Sequence, residues 1–511
     1  MLPGKYYLLA LWFPLLFVFR GCATVNPRLD YERTAEHITE TTGQENVYLP
    51  GDEDIVAGKV KKLLSDGITV GEAVQVCLLN NPSFQAAAME VGMARADVVQ
   101  SGLLSNPSVG VALRLPAGGG LSNLEADLAQ NIADLWQIPV RKRAAERSLD
   151  RAILELARLA ADLAADAKAA YYTAVGSQQR HEITRENLAI VRELLEMALA
   201  LQEAGAGSAL HVNLSRTVVV DAELAMESAR LAAADARREL ARLLGIRADA
   251  DRLVLTDPLP EPLPEKPDAD ALVQVAREKR LDILAAQQAV MAAEAQLEEQ
   301  YRMIFPSVEV GVALERGERG RASGRKLLAD TARASIANGQ LTAPEIQPRS
   351  ERKTNTDFII GPSLGMEIPI FDQNQAQIAK ADFMVQQATK ALEALDRAVT
   401  QEVRSAVDRA MTAWKLTQMY RDQAIPLVKE NLELSRESYR AGKASFLAVL
   451  EAQRFFLDNR SRYVEASQAA ALTIPELERT IGLPFQTLLR EAKADSRTDA
   501  PTTQPIDGEQ P

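Results

Sequence analysis

The chain has 511 residues, a net charge of −12, 5% aromatic residues and two cysteines, Cys22 and Cys77. That balance argues against nucleic-acid binding, which needs a basic face, and gives no disulfide framework. The sequence holds no phosphate-cradling Gly-Lys-Ser/Thr loop and no nucleophile elbow, so no enzyme chemistry and no cofactor is expected, and any driving energy comes from a partner.

The N-terminus reads as a targeting segment over residues 1–21. Lys5 is its positive start, and Tyr6 to Phe19 is an apolar run too short to span a bilayer, as in a cleaved export signal. It ends in Phe19-Arg20-Gly21-Cys22-Ala23, which resembles a bacterial lipobox, although Arg20 departs from the small residue usual there. Cys22 is thus the candidate lipid anchor. Ala23 is not the aspartate that resembles an inner-membrane retention signal, so the outer membrane is the expected address. Residues 22–65 are mixed and polar and are expected to form an extended arm.

From residue 66 the chain says the same thing twice. Asn81-Pro82-Ser83 is answered by Arg280-Leu281-Asp282, and Pro107-Ser108-Val109 by Pro306-Ser307-Val308, both at a shift of 199. Gln137-Ile138-Pro139-Val140 recurs as Glu367-Ile368-Pro369-Ile370 at 230. Ala204-Gly205 recurs as Ala441-Gly442, and Leu244-Gly245 as Ile481-Gly482, at 237. A shift that changes only by insertion marks a duplication, and the period is too long for a solenoid. The repeats cover residues 66–256 and 268–490, each reading as helix, strand, strand, very long helix, helix. Proline at alternate positions makes 257–267 an extended linker. Residues 491–511 form a polar tail expected to be disordered.

Within the first repeat, a helix is expected from about Val70 to Leu104, with Cys77 in its apolar stripe. Val109, Val111, Leu113 and Leu115 then alternate with Ser108, Gly110, Ala112 and Arg114, the period of a strand with one apolar face. A weaker return strand is expected over 124–138. In the second repeat Val308, Val310, Val312 and Leu314 form one apolar face, and Phe358, Ile360, Pro362, Leu364 and Met366 another. The charged stretch between them, about 316–356, reads as a solvent-facing loop. Arg141 to Gln202 is a helix of roughly 90 Å at about 1.5 Å per residue. Gln373 to Arg440 is expected to be longer by seven residues, one heptad, with a kink at Pro426.

Strands with one apolar outward face and one small or polar face are the pattern of a membrane barrel with a wet interior. Lipid tolerates no open sheet edge, and four strands are too few to close. Several copies must therefore share one barrel.

These residues resemble the TolC-like outer-membrane efflux proteins over about 60–490. The resemblance rests on Asn81-Pro82-Ser83, Leu281-Asp282-Ile283, Phe305-Pro306-Ser307 and Ile368-Pro369-Ile370-Phe371-Asp372-Gln373-Asn374. Its most specific part is Tyr439-Arg440-Ala441-Gly442-Lys443-Ala444-Ser445-Phe446-Leu447-Ala448-Val449-Leu450-Glu451. It implies a mainly α homotrimer with a twelve-stranded β-barrel in outer-membrane lipid, continued by a long periplasmic α-helical barrel. It also implies a periplasmic adaptor and an inner-membrane pump as partners. Gly205 and Gly207, with Arg440, Gly442 and Ser445, fall at the two tip turns that receive the adaptor. Glu451 matches a family acid at the tip constriction, while the second family acid is Ala448 here and the first-half counterpart is Leu214. The Ile-Pro-Ile-Phe-Asp-Gln-Asn-Gln stretch is most similar to heavy-metal exporters. Yet His37, His181 and His211 form no cluster of metal-ligand spacing, so no metal site is expected. The cargo stays open between metal, drug, solvent, siderophore and protein. A type I protein-secretion channel and a periplasmic coiled-coil scaffold lipoprotein are the alternatives.

Overall fold

A computed structural model describes residues 23–51, 53–115, 122–205, 207–247, 253–261, 267–305, 307–318, 332–340, 356–441, 443–484 and 487. The described residues fall into two compact units, one within 1–96, 147–291 and 387–511, the other within 97–146 and 292–386.

The second unit holds one antiparallel sheet in the order β1-β2-β3-β4, built from Ser108–Arg114, Asn123–Asn131, Val308–Glu318 and Thr356–Met366. Both halves of the sequence contribute two strands. The register places Val109 beside Leu128, Leu128 beside Val312, and Val312 beside Pro362. One apolar face therefore runs across all four strands, because side chains alternate with period two. Val111 is 70% exposed and Leu364 75%, so none of the described residues covers that face. The other face carries Gly110, Glu125, Asp127, Gly311, Glu315 and Ser363. Glu125 stands directly opposite Glu315, and each has its own partner: Arg114 at 2.9 Å from Glu125, and Asn123 Nδ2 donating to Glu315 at 2.8 Å.

The return strand is shorter than the sequence suggests, ending at Asn131. Asn131 Oδ1 accepts from the Ala133 backbone N–H at 2.9 Å, and Asp134 opens the next helix, its carboxylate accepting from the Ser105 N–H at 2.7 Å. An acid in the first turn suits the positive end of a helix. Residues 332–338, within the expected loop, are helical.

The first unit is helical. The arm is not extended: it contains α1 (Arg28–Thr42) and α2 (Glu53–Leu63). Helix α1 is pinned through Asp30, 1% exposed, to which Arg95 donates from both Nε (2.6 Å) and Nη2. The partner lies 65 residues away, out of reach of any local pattern.

The single helix expected over 70–104 is two, α3 (Val70–Asn80) and α4 (Pro82–Ser101). Proline disfavours α geometry in the residue before it, and Asn81 has ψ 118. The Asn81 side chain then accepts from the backbone of Ser83 (2.9 Å) and Phe84 (3.2 Å), capping α4. Cys77 is fully buried on α3, where desolvation, with Asp166 adding to it, pushes its thiol up to about 12. The second half repeats the break without proline: α7 (Ala269–Lys279) and α8 (Leu281–Arg302) meet at Arg280, ψ 122.

The long helices are α5 (Asp134–Glu203) and α6 (Ala209–Leu243) in the first half. Their counterparts are α9 (Gln375–Met419), a five-residue π turn (Tyr420–Ala424), α10 (Ile425–Arg440) and α11 (Phe446–Ile481). Contrary to expectation, the stretch Gln375–Arg440 is shorter than the 70 residues of α5. The seven extra residues are no heptad. Buried Ala167, Tyr171 and Ala174 of α5 match buried Val403, Val407 and Ala410 of α9 at a shift of 236. Six residues are thus absorbed before α9, where Ile368 to Asn374 stay out of the helix and Asn374 turns at φ 61. The seventh is the residue that opens the π turn, the usual consequence of one insertion in a helix. Pro426 follows as the second residue of α10, directly after the π turn.

One core cluster joins Val273 and Ala276 of α7, Val403, Val407 and Trp414 of α9, and Leu477 of α11.

Candidate functional site

The two hairpin tips are built alike. Helix α5 ends where Ala204 N–H donates to Ala200 O (3.0 Å) and Gly205 takes φ 74, a left-handed conformation that favours glycine. Gly207 N–H reaches back to Leu201 O at 2.8 Å. Ser208 then caps α6 by accepting from His211 N–H. In the second tip Ala441 N–H donates to Glu437 O (3.0 Å), Ala444 N–H reaches back to Ser438 O (3.2 Å), and Ser445 caps α11 by accepting from Ala448 N–H. Every partner in one tip maps onto the other at a shift of 237. Arg440 and Ser445 are exposed there. Gly442, like Cys22, lies outside the described residues.

The tips are joined by an apolar cluster of Leu194 and Ala198 (α5), Val212 (α6) and Phe446 (α11). Around it, Phe446 sits 5.8 Å from the rings of both His211 and Tyr439. Sequence reasoning missed Ser208 and this aromatic contact. Ser208 was legible, since Ser445 minus 237 gives it, whereas the contact between hairpins leaves no local signal.

Glu451 is exposed on α11. Phe446, Val449 and Gln453 form the buried stripe of that stretch, with Arg436 Nη2 donating to Gln453 Oε1 at 3.2 Å. Glu451 lies two residues from both Val449 and Gln453, about 200° around the helix from that stripe, on the exposed side. Among the described residues no group of three or more His, Cys, Asp or Glu is placed to hold a metal ion. No described helix is long and apolar enough to cross a membrane, which says nothing of the sheet.

The sheet exposes an apolar face, and each helical hairpin ends in its own capped tip. The family model for outer membrane efflux proteins matches residues 73–246 and 272–483, most of the chain. The chain belongs to the outer membrane efflux protein family. The Bordetella pertussis protein CyaE is 25% identical over 416 residues, covering 78% of this chain and 81% of that one. The toluene efflux pump outer membrane protein TtgF of Pseudomonas putida is 28% identical over 261 residues, covering 47% of this chain and 53% of the relative, so the match spans about half the length of that pump protein. Among solved structures, CusC superposes with a TM-score of 0.62 at 17% identity, covering 81% of this chain and 91% of the other. The outer-membrane channel OprN gives 0.60 at 18%, covering 87% and 96%. At these identities the structures show a common fold: mostly helical TolC-like channels with few strands.

Proposed function

We propose that this family member is the outer-membrane exit duct of a tripartite efflux system. Three copies supply four strands each to a twelve-stranded barrel, and their helices form a periplasmic tunnel. The observation that carries the reading is the four-stranded sheet with an uncovered apolar face and two edges, β1 and β4, that a lipid environment does not tolerate unpaired. Cargo reaches the duct from an inner-membrane pump through a periplasmic adaptor. Relatives named for toluene efflux and pyoverdine export support small organic molecules over the metal cations that the Ile-Pro-Ile motif raised. The protein is expected to fractionate with outer membranes, run as a trimer in mild detergent and conduct ions in planar bilayers. A soluble, non-conducting monomer would sink the reading. Cys22 is the proposed lipid anchor, which the mass of the mature N-terminal peptide reads directly.

The tips, with Gly205, Gly207, Arg440, Gly442 and Ser445, are the proposed adaptor-docking turns. A Cβ at Gly205 meets no atom within 4 Å beyond its chain neighbours, so Gly205→Val acts chiefly through its left-handed backbone. The strain is about 1–2 kcal/mol, enough to reshape an exposed turn and too little to unfold a protomer. Efflux is expected to fall at least tenfold in a susceptibility assay while trimers persist in the membrane. Wild-type efflux would remove the tip from adaptor docking.

Glu451 is the proposed constriction residue. In a trimer its carboxylate appears three times about one axis, concentrating cations at the tip. Glu451→Gln should lower the cation-to-anion permeability ratio in bilayers and weaken block by multivalent cations. If both stay unchanged, Glu451 belongs to the outer surface.

A further inference from the structure

One stripe of α11 is exposed from the tip upward. Phe446, Val449, Gln453 and Val464 are buried, while Leu447, Glu451, Phe455, Asp458 and Arg462 are open. At about 100° per residue those five lie within an arc of about 80°. Higher on the stripe the charges are matched, with Arg462 Nε 2.9 Å from Asp458. Among the described residues no cation pairs with Glu451 in this way. Arg454 is exposed too, but it lies off the stripe, about 100° around from Phe455.

Phe455 is 63% exposed. It follows Glu451 by one turn, about 6 Å along the axis and about 40° around, so the two side chains are neighbours on one face. The repeat shows that this exposure is particular to the second hairpin. At the shift of 237, Glu451 and Phe455 become Leu214 and Val218 of α6. Val218 packs against the cluster of Leu188, Val191 and Ala222, so the first hairpin covers its equivalent position from within. In the second hairpin the next residue, Phe456, is half-buried with the Arg460 guanidinium 5.7 Å from its ring centre, and Phe455 is left open beside an acid.

A phenyl ring and a carboxylate one turn apart offer two different attractions. The ring gives apolar area and a negative π face; the carboxylate gives a full charge. A hydrated metal ion uses the carboxylate alone, and a neutral hydrocarbon uses the ring alone. A cation with an apolar or aromatic body uses both. We propose that Phe455 and Glu451 together form a recognition step for bulky organic cations at the tip of the tunnel. The inference deepens the channel reading and rests on it, because three copies bring three such pairs to one axis. Glu451 draws the charge in, and Phe455 holds the apolar body above it. Conduction of small ions needs only the carboxylate.

The test is the ionic current of the full-length protein in planar bilayers. Tetraphenylphosphonium serves as the bulky organic cation and hexaamminecobalt as a compact trivalent one. Phe455→Ala should raise the half-blocking concentration of tetraphenylphosphonium at least about tenfold and leave that of hexaamminecobalt within about twofold. Phe455→Leu keeps apolar bulk without the ring and should raise the first at least about fivefold, whereas Phe455→Tyr should hold it within about twofold. Glu451→Gln should weaken block by both cations. Tetraphenylphosphonium block that survives Phe455→Leu, or that is lost together with hexaamminecobalt block, overturns the pairing and leaves the channel reading standing. A wild-type channel blocked by hexaamminecobalt but not by tetraphenylphosphonium does the same. A protein that does not conduct overturns both.

Discussion

Gly245→Val is expected to yield no stable protomer. Gly245 has φ 68, and a Cβ there would stand 2.3 Å from the Asn80 carbonyl oxygen and 3.0 Å from its carbon. Those are backbone atoms at the end of α3, so no rotamer change relieves the overlap. Moving the chains apart breaks two hydrogen bonds, Asn80 Nδ2 to Leu244 O (2.8 Å) and Asn81 Nδ2 to Leu243 O (2.9 Å). It also opens the site of Leu240 and Leu244, both fully buried. The left-handed backbone adds about 1–2 kcal/mol, and loss of buried packing brings the total above about 4 kcal/mol, the range that abolishes folding in a marginally stable protein. The glycines rank themselves. Gly482, φ 83, would place its Cβ 3.1 Å from the Arg280 Cα, a milder overlap, and Gly205 meets nothing. Alanine substitutions should lower the melting temperature in the order Gly245, Gly482, Gly205. A Gly245→Ala protein that melts with the wild type would refute the packing described here.

Arg280→Ala is expected to cost about 3 kcal/mol, the lower end of the range for removing one partner from a buried ion pair. Arg280, 9% exposed, holds Asp282 at 2.7 Å and Glu402 at 2.6 Å, and donates to Thr480 O at 3.2 Å. Glu402 is half-exposed and can be rehydrated, so the loss centres on Asp282. Burial alone would raise the Asp282 carboxyl, but the hydrogen bonds and charge of Arg280 outweigh it and hold the group below the ordinary carboxylate range. A depressed carboxylate contributes stability above its unfolded pKa and loses it as pH falls through the folded one. The gap in melting temperature between wild type and Arg280→Ala should therefore be widest near pH 7 and narrow below about pH 4. A gap that stays constant to pH 3 would place the effect in packing.

Arg280 also shows where sequence reading stops. In the first half the corresponding break was spelled out by Asn81-Pro82: a proline that excludes α geometry from the residue before it and an asparagine that caps the next helix. In the second half neither residue is present. The break at Arg280 depends on Asp282, on Glu402 some 120 residues away, and on the end of α11.

What the sequence determined by itself is whatever is carried by local period and local stereochemistry. The alternation from Val109 to Leu113 and from Val308 to Leu314 set the strands and their apolar face. The motifs around Gly205, Ser445 and Gly245 set the caps, because left-handed turns and capping hydroxyls act within four residues. The family followed from the order of those motifs. The tertiary structure alone decided what depends on distant partners. Asp30 finds Arg95 and ties the helical arm to α4. Asp134 meets Ser105 and ends a strand early. One inserted residue becomes a π turn at Tyr420 rather than part of a heptad, because α9 keeps Val403, Val407 and Ala410 in the core and shifts phase only beyond them. Periodicity states that a helix has an apolar face. Which neighbour covers that face is a long-range pairing that no window of sequence contains.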